Sequence, residues 1–393
     1  MHGESLYRKI VAGETGVWAS PVRGLLWSAA VIYGRAIAMR NAWYDRKGTT
    51  TRLPVPVISV GNLTVGGTGK TPFVIDLVRR LDALGFSPAI IARGYGATPG
   101  EPNDEQKLIQ KNCPSAAYVS DPDRRRAGEV ACGRFGADVI VLDDGFQHRR
   151  LARDLDIVLV DATCPFGFGH MLPRGLLREP VIGLRRAHVV VLTRCDQVSH
   201  TELARIEARL GELAPDAVHL KCNHRVTGVE RLDGTSVGAN QLAPTLKGVG
   251  AESGLDRKRV VLFAGIAHPQ SFVTTVSSLG ADVVATRWFP DHHRYTRRDL
   301  QSLFQADRFP QHDFLVTTEK DAVKLAHWVL APTLTGVGAD GGLDAATIVV
   351  VRVAIDFLDN CGTMLQAILE QRLPRRPSEQ SAAGGQAREH AHE

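Results

Sequence analysis

The chain has six cysteines, Cys113, Cys132, Cys164, Cys195, Cys222 and Cys361, but no C-x-x-C pair. Neither a zinc site nor a disulfide framework is signalled, and a reducing cytoplasm suits such a chain. Long apolar runs are missing as well. The uncharged stretch from Gly24 to Gly34, bounded by Arg23 and Arg35, is eleven residues long, too short for a helix to cross about 30 Å of hydrocarbon. No signal-peptide cleavage pattern follows it. Nor is there a spread excess of positive charge. The net charge is +5, yet residues 1–52 alone hold eight Lys/Arg against three acids, which leaves the remainder balanced. A nucleic-acid groove needs basic residues distributed over a folded face, so no nucleic-acid partner is expected. A basic end suits an anionic membrane surface. With Trp27, Tyr33 and Trp43, residues 1–52 read as a basic amphipathic segment whose helix lies at the membrane interface. The alternative is a helix packed on the main domain with its arginines solvated.

What is present fits an α/β protein. With 393 residues and 44% apolar content, the chain is long enough for two domains. Between residues 53 and 200 the runs VPVISV, PAIIAR, DVIVLDD, DIVLVDA and HVVVLTR read as strands of a parallel sheet buried on both faces. TPFVIDLVRRLDALG has helical spacing and stops at Gly85. Residues 201–257 read as a connection. A smaller α/β domain is expected over 258–372, with strands RVVLFAGIA, DVVATRWF, DFLVTTEK and TIVVVRVAI and helices at 268–279, 296–307 and 321–330. The tail, 373–393, is too polar to pack, and His390 and His392 in it read as solvated. LAPTLKGVGAESGLD (242–256) and LAPTLTGVGADGGLD (330–344) match at twelve of fifteen positions and read as copied loop insertions without chemistry.

VGNLTVGGTGKTPF (60–73) lies between the first of these strands and the helix. It follows the P-loop pattern G-x-x-x-x-G-K-[ST] except that Thr64 stands where the first glycine belongs. Phosphates are cradled by backbone N–H groups at a helix N-terminus, and Gly66, Gly67, Thr68 and Gly69 still supply them. Lys70 would reach the β- and γ-phosphates, and the Thr71 hydroxyl would ligate Mg²⁺. VIVLDDG ends a strand with Asp143 and Asp144, which suits acids placed beside that metal. TRCD (193–196) resembles a guanine-reading motif only faintly, since Arg194 replaces its lysine, and reads as a strand end.

Further stretches converge on one family: ARGYG (92–96), NDE (103–105), DDGFQHRRLARDLDIVLVDA (143–162), LPRGLLREP (172–180), AGIAHPQSF (264–272), DHHRY (291–295) and TTEKDAVKL (317–325). Together with GNLTVGGTGKTP they resemble the tetraacyldisaccharide 4'-kinases of lipid A synthesis, from about residue 20 to 370. The resemblance implies a P-loop NTPase-like sheet domain with a second, smaller α/β domain. It implies transfer of the γ-phosphate of ATP to the 4'-hydroxyl of tetraacyldisaccharide 1-phosphate, by a peripheral enzyme on the cytoplasmic face of the bacterial inner membrane. Asp104 would be the base and His292 its support, although Asn103 stands where the family has glycine. Asp143, Asp144 and Glu179 would surround Mg²⁺, while Arg124, Gln147, His148 and Arg178 would line the phosphate and acceptor sites. Arg125 and Arg126 are equally well explained as solvated charges on a helix. Two rivals remain. One is a deviant Walker A GTPase or ATPase such as a metallochaperone, against which Val65 stands where that loop carries a lysine. The other is a non-enzymatic membrane-associated nucleotide switch.

Overall fold

The computed structural model describes residues 2–47, 50–94, 102–232, 234–237, 254–305, 308–329 and 347–373. The bodies of the two copied loops, the tail with His390 and His392, and Tyr95 and Gly96 of ARGYG lie outside the described residues. The first series of strands is β1 (Val57–Asn62), β2 (Pro88–Ala92), β3 (Ala117–Ser120), β4 (Val139–Asp143), β5 (Leu155–Asp161), β6 (Val189–Thr193) and β7 (Val218–Arg231); the second is β8 (Arg259–Ala264), β9 (Asp282–Trp288), β10 (Phe314–Thr318) and β11 (Ile348–Phe357). The helices are α1 (His2–Ala12), α2 (Ser20–Lys47), α3 (Lys70–Ala83), α4 (Asp104–Asn112), α5 (Arg124–Phe135), α6 (His200–Leu213), α7 (Pro269–Ser277), α8 (Arg297–Phe304), α9 (Glu319–Val329) and α10 (Cys361–Arg372). Every residue of β1, β2, β4, β5 and β6 is buried, which is why their sequences are continuous apolar runs rather than alternating ones.

Both series join one 11-stranded sheet in the order β3-β2-β4-β1-β5-β6-β7-β11-β10-β8-β9. The stretch expected to be a connection therefore contributes α6 and the long strand β7, and β3 was not legible at all. All neighbours pair parallel except β7 with β11. That single reversal places the site. β6 pairs with the start of β7 and ends with Thr193 opposite Cys222. β11 approaches from the far end, beginning with Val349 opposite Arg231 and finishing with Phe357 opposite Cys222. The strands on either side run in opposite directions but are offset along β7. Their carboxyl ends thus face one another across a cleft, and ligands of open α/β sheets bind at carboxyl ends.

One sheet face is covered by α3 and α10, where Phe73, Leu77, Leu81, Leu365 and Leu369 pack on Ile58, Val60 and Ile157. The other takes Ile206 and Leu210 of α6 against Val158, Val190 and Leu192. Each such side chain contributes about 1.5–3 kcal/mol through its burial. The predicted stop at Gly85 corresponds to a left-handed residue, φ 84°, just beyond α3, as expected at a helix C-terminus.

Helix α2 is longer than the uncharged stretch suggested, with one packed face and one exposed face. Its inner face packs: Ala30 is buried and the Tyr33 hydroxyl donates to the Arg178 carbonyl at 2.9 Å. That hydrogen bond turns the Tyr33 hydroxyl toward the protein. On the outer face Leu25, Ile32 and Met39 are 71–74% exposed, and Trp27 and Trp43 are exposed too. No helix among the described residues is long and apolar enough to cross a membrane.

Candidate active site

The glycine loop spans the gap between Asn62 of β1 and Lys70 of α3. Thr64, in place of the usual first glycine, is buried and bridges to Leu177 in an antiparallel contact. The Val65 N–H donates to the Leu176 carbonyl at 2.8 Å. The neighbouring segment thus shapes the start of the loop, and no glycine is needed there. Two glycines are needed further on. Gly66 and Gly69 have φ of 116° and 85°, and a Cβ at Gly69 would fall 2.4 Å from His224 Nε2 while one at Gly66 would fall 3.0 Å from His268 Nε2. His224 comes from β7 and His268 precedes α7, so the cleft's far wall closes on the loop. Burial drives the His224 pKa down to about 3 and that of His268 to about 4, so both face the loop as neutral rings at physiological pH.

The strand-end reading of TRCD holds for the backbone but misses a side chain. Arg194 is buried, pairs with Asp161 and donates from Nη2 to the Gly67 carbonyl at 2.8 Å. It braces the loop from β6. Lys70 Nζ lies 3.0 Å from Asn62 Oδ1 and 3.2 Å from Asp144 Oδ1, in a cavity of about 1070 Å³ that Thr71, Asp143, Arg124 and His148 also line. That volume lies at the upper end for ligand sites and has room for a second molecule beside a nucleotide.

Asp143, the last residue of β4, and Asp144 just beyond it are shifted in opposite directions. Burial, reinforced by Glu105, pushes Asp143 up to about 7. Asp144 is held at about 2, because Lys70 and Arg178 outweigh the burial that opposes them. Arg178 Nη1 lies 2.9 and 2.8 Å from the two Asp144 oxygens. The Asp143 Oδ1 atom is buried with no hydrogen-bond partner. A hard divalent cation is what such an orphaned oxygen suits, with the Thr71 hydroxyl as a second oxygen donor on the same cavity, so these residues fit Mg²⁺.

Glu179 does not join them. It is wholly buried, and its oxygens accept from Arg186 at 2.7 Å, Gln147 at 3.0 Å and Asn41 at 3.3 Å. Among the described residues no three His, Cys, Asp or Glu are grouped to hold a metal, and the structure does not bring Glu179 together with Asp143 and Asp144: its carboxylate is engaged by Arg186, Gln147 and Asn41. Gln147 lines the cavity, yet its amide also braces the Asn62 carbonyl at 2.8 Å. Arg124 opens α5 over the Asp123 cap and is buried, with Nε unpartnered. His148 is lowered to about 4 by burial and then by Arg124. Arg125 and Arg126 pair on the surface with Glu129 and Asp121, as solvated helix charges do.

Asp104 and His292 arrive from opposite sides of the cleft. Asp104 is the first residue of α4, whose cap is Asn103 accepting from the Gln106 N–H, so asparagine in place of glycine here starts the helix. His292 follows β9 with a left-handed φ of 59°, a conformation that costs a non-glycine residue energy and concentrates at functional sites. His292 Nδ1 lies 3.8 Å and Lys324 Nζ 3.6 Å from Asp104 Oδ2. Burial opposes the charge on Asp104, but His292 and Lys324 together hold it below the usual carboxylate range.

A mostly parallel sheet, a glycine loop opening a helix with Lys70, and acids at the end of β4 define a protein of the P-loop nucleotide-binding class. A family model described as Tetraacyldisaccharide-1-P 4'-kinase matches residues 22–370, and the chain belongs to that family. A protein of Anaeromyxobacter dehalogenans named tetraacyldisaccharide 4'-kinase is 38% identical over 86% of this chain and 87% of its own length. One of the same name from Syntrophus aciditrophicus is 40% identical over 78% and 85%. The crystal structure of LpxK from Aquifex aeolicus in complex with ATP matches with a TM-score of 0.63 at 27% identity, covering 90% of this chain and all of the other. These matches favour neither the deviant Walker A reading nor the nucleotide switch.

Proposed function

We propose that this kinase uses Asp104 as base and His292 as its partner to pass the γ-phosphate of ATP to the 4'-hydroxyl of tetraacyldisaccharide 1-phosphate, giving the bis-phosphorylated lipid A precursor. The observation that carries the assignment is the meeting of Asp104 and His292, 3.8 Å apart, with His292 lining the same cavity as the glycine loop. A sugar hydroxyl is a poor nucleophile. As its oxygen bonds to the γ-phosphorus and the bridging oxygen leaves with ADP, the hydroxyl proton passes to the Asp104 carboxylate. An Asp below its usual range is a weak base, but in a loose transition state the proton moves late, so position matters more than basicity. The loop amides and Lys70 hold the triphosphate, and Arg194 keeps the loop in shape. Thr71 and Asp143, with Asp144 beside them, would hold Mg²⁺, which when bound neutralises charge on the phosphate oxygens. Arg124, His148 and Arg178 line the space left for the acceptor, where planar guanidinium groups suit phosphate oxygens. Purified protein with Mg-ATP should convert the authentic acceptor in detergent micelles to the bis-phosphate. Absence of product while ATP is demonstrably bound would refute the reaction.

The acceptor is amphiphilic, and the outer face of α2 fits an anionic membrane surface. Leu25, Ile32 and Met39 lie seven apart on that face, the exposed Arg35 and Arg46 flank it, and its one acid, Asp45, is paired with Arg149. A second copy of such a helix would bring like charges together, whereas anionic headgroups would neutralise them. Replacing all three apolar residues by glutamate should lower co-flotation with phosphatidylglycerol vesicles by at least about tenfold, since each loses roughly 1.5–3 kcal/mol of apolar burial. Equal flotation of variant and parent would remove α2 as the docking face.

A further inference from the structure

TTEKDAVKL (317–325) ends β10 and opens α9, and the reaction described above gives its lysines no part. Helix α9 packs on α4, and Lys320 and Lys324, one turn apart, each reach one member of the Asp104–His292 pair. Lys320 Nζ lies 2.9 Å from Asp291 Oδ1 and 3.4 Å from His292 Nε2. Lys324 Nζ lies 2.9 Å from Asp321 Oδ1 and 3.6 Å from Asp104 Oδ2.

We propose that Lys320 is a positioning residue that sets the tautomer of His292. An ammonium has donors and no acceptor, so the Nε2 atom facing it must carry the lone pair, and the proton of the neutral ring sits on Nδ1. Nδ1 is the nitrogen directed at Asp104. Asp291 is the group that could draw the proton the other way. Its Oδ2 is 3.9 Å from Nε2, beyond a hydrogen bond, while its Oδ1 already accepts from Lys320 at 2.9 Å and from the His292 N–H at 3.0 Å. Lys320 keeps its charge, because Asp291 and Glu105 outweigh the burial that opposes it. With Nδ1–H turned to Asp104, His292 donates toward Oδ2, the oxygen that Lys324 also faces, and Oδ1 is left for the acceptor hydroxyl. One ring nitrogen is thus fixed by the partner of the other, the usual means of choosing a histidine tautomer.

This inference rests on the Asp104–His292 reading, and the two can fail separately. Long-range ¹H–¹⁵N correlation on the full-length, ¹⁵N-histidine-labelled protein at about pH 8, above the ordinary imidazole range, reports the tautomer directly. Loss of signals in His292→Asn assigns them. The expected wild-type state is protonated at Nδ1. In Lys320→Met the freed Asp291 carboxylate should draw the proton to Nε2, and kcat should fall about tenfold or more with KM for ATP within about twofold. Lys320→Arg, also a pure donor, should keep the Nδ1 proton and most of the turnover. A wild-type ring protonated at Nε2 overturns the proposal without any variant, whether or not Lys320→Met folds. So does Lys320→Met with an unchanged tautomer. If Asp104→Ala abolishes turnover while either of those results is seen, only the tautomer proposal falls. If Asp104→Ala leaves turnover intact, the base assignment itself falls.

Discussion

Asp104→Ala should lower kcat by about 10²–10⁴, the range supplied by a positioned general base, while KM for ATP stays within about threefold. The separation follows from where the residue sits. Asp104 faces His292 and Lys324 from the start of α4, whereas the proposed triphosphate site is the loop between β1 and α3 together with Lys70. The substitution should also leave the fold intact. The cap of α4 is Asn103, not Asp104, and Lys324 keeps its 2.9 Å contact with the buried Asp321. Single-turnover phosphorylation in micelles, with ATP binding measured on the same preparation, reads both quantities. Turnover above about a tenth of the parent's would remove Asp104 from the chemistry, because no other described carboxylate is paired with His292 Nδ1.

How much of this was legible depended on whether a function lay in a local stretch or in a meeting of distant ones. The glycine loop was legible because strand, loop and helix are contiguous, and a run of backbone amides tolerates Thr64 when Leu176 and Leu177 hold its start. The doubly buried strands were legible as apolar runs. β7 was not, since it mixes buried and half-exposed residues along VHLKCNHRVTGVER, and the reversal that makes two carboxyl edges face one cleft leaves no mark in either half. For the same reason His224 and His268 gave no signal as walls of the loop. Each is an ordinary histidine until the sheet brings it within 3.0 Å of where a glycine's Cβ would be. Arg194 was visible only as a failed guanine motif, although a charged residue at the end of a wholly apolar strand was a usable sign of a buried partner. Asp104 and His292 are 188 positions apart in the sequence and were joined only through the family resemblance.

Glu179 was placed beside the metal by the family resemblance alone, and its replacement discriminates that role most sharply from the one its partners suggest. The structure turns the neighbours to different partners: Arg178 to Asp144, Glu179 to Arg186, Gln147 and Asn41. Glu179 thereby ties helix α2 and Gln147, which braces the Asn62 carbonyl, to one buried charge. Glu179→Leu should therefore destabilise the protein by about 3 kcal/mol, near the lower end for breaking a buried ion pair, because Arg186 is 22% exposed and retains its stacking 4.5 Å over the Phe146 ring. Urea unfolding should show a lower midpoint with an unchanged slope. Turnover of the folded fraction should need the same Mg²⁺ concentration as the parent. A metal ligand predicts the reverse pattern, with stability nearly kept and the Mg²⁺ requirement raised about tenfold or more. That result would return Glu179 to the cation and leave Arg186 as its second partner.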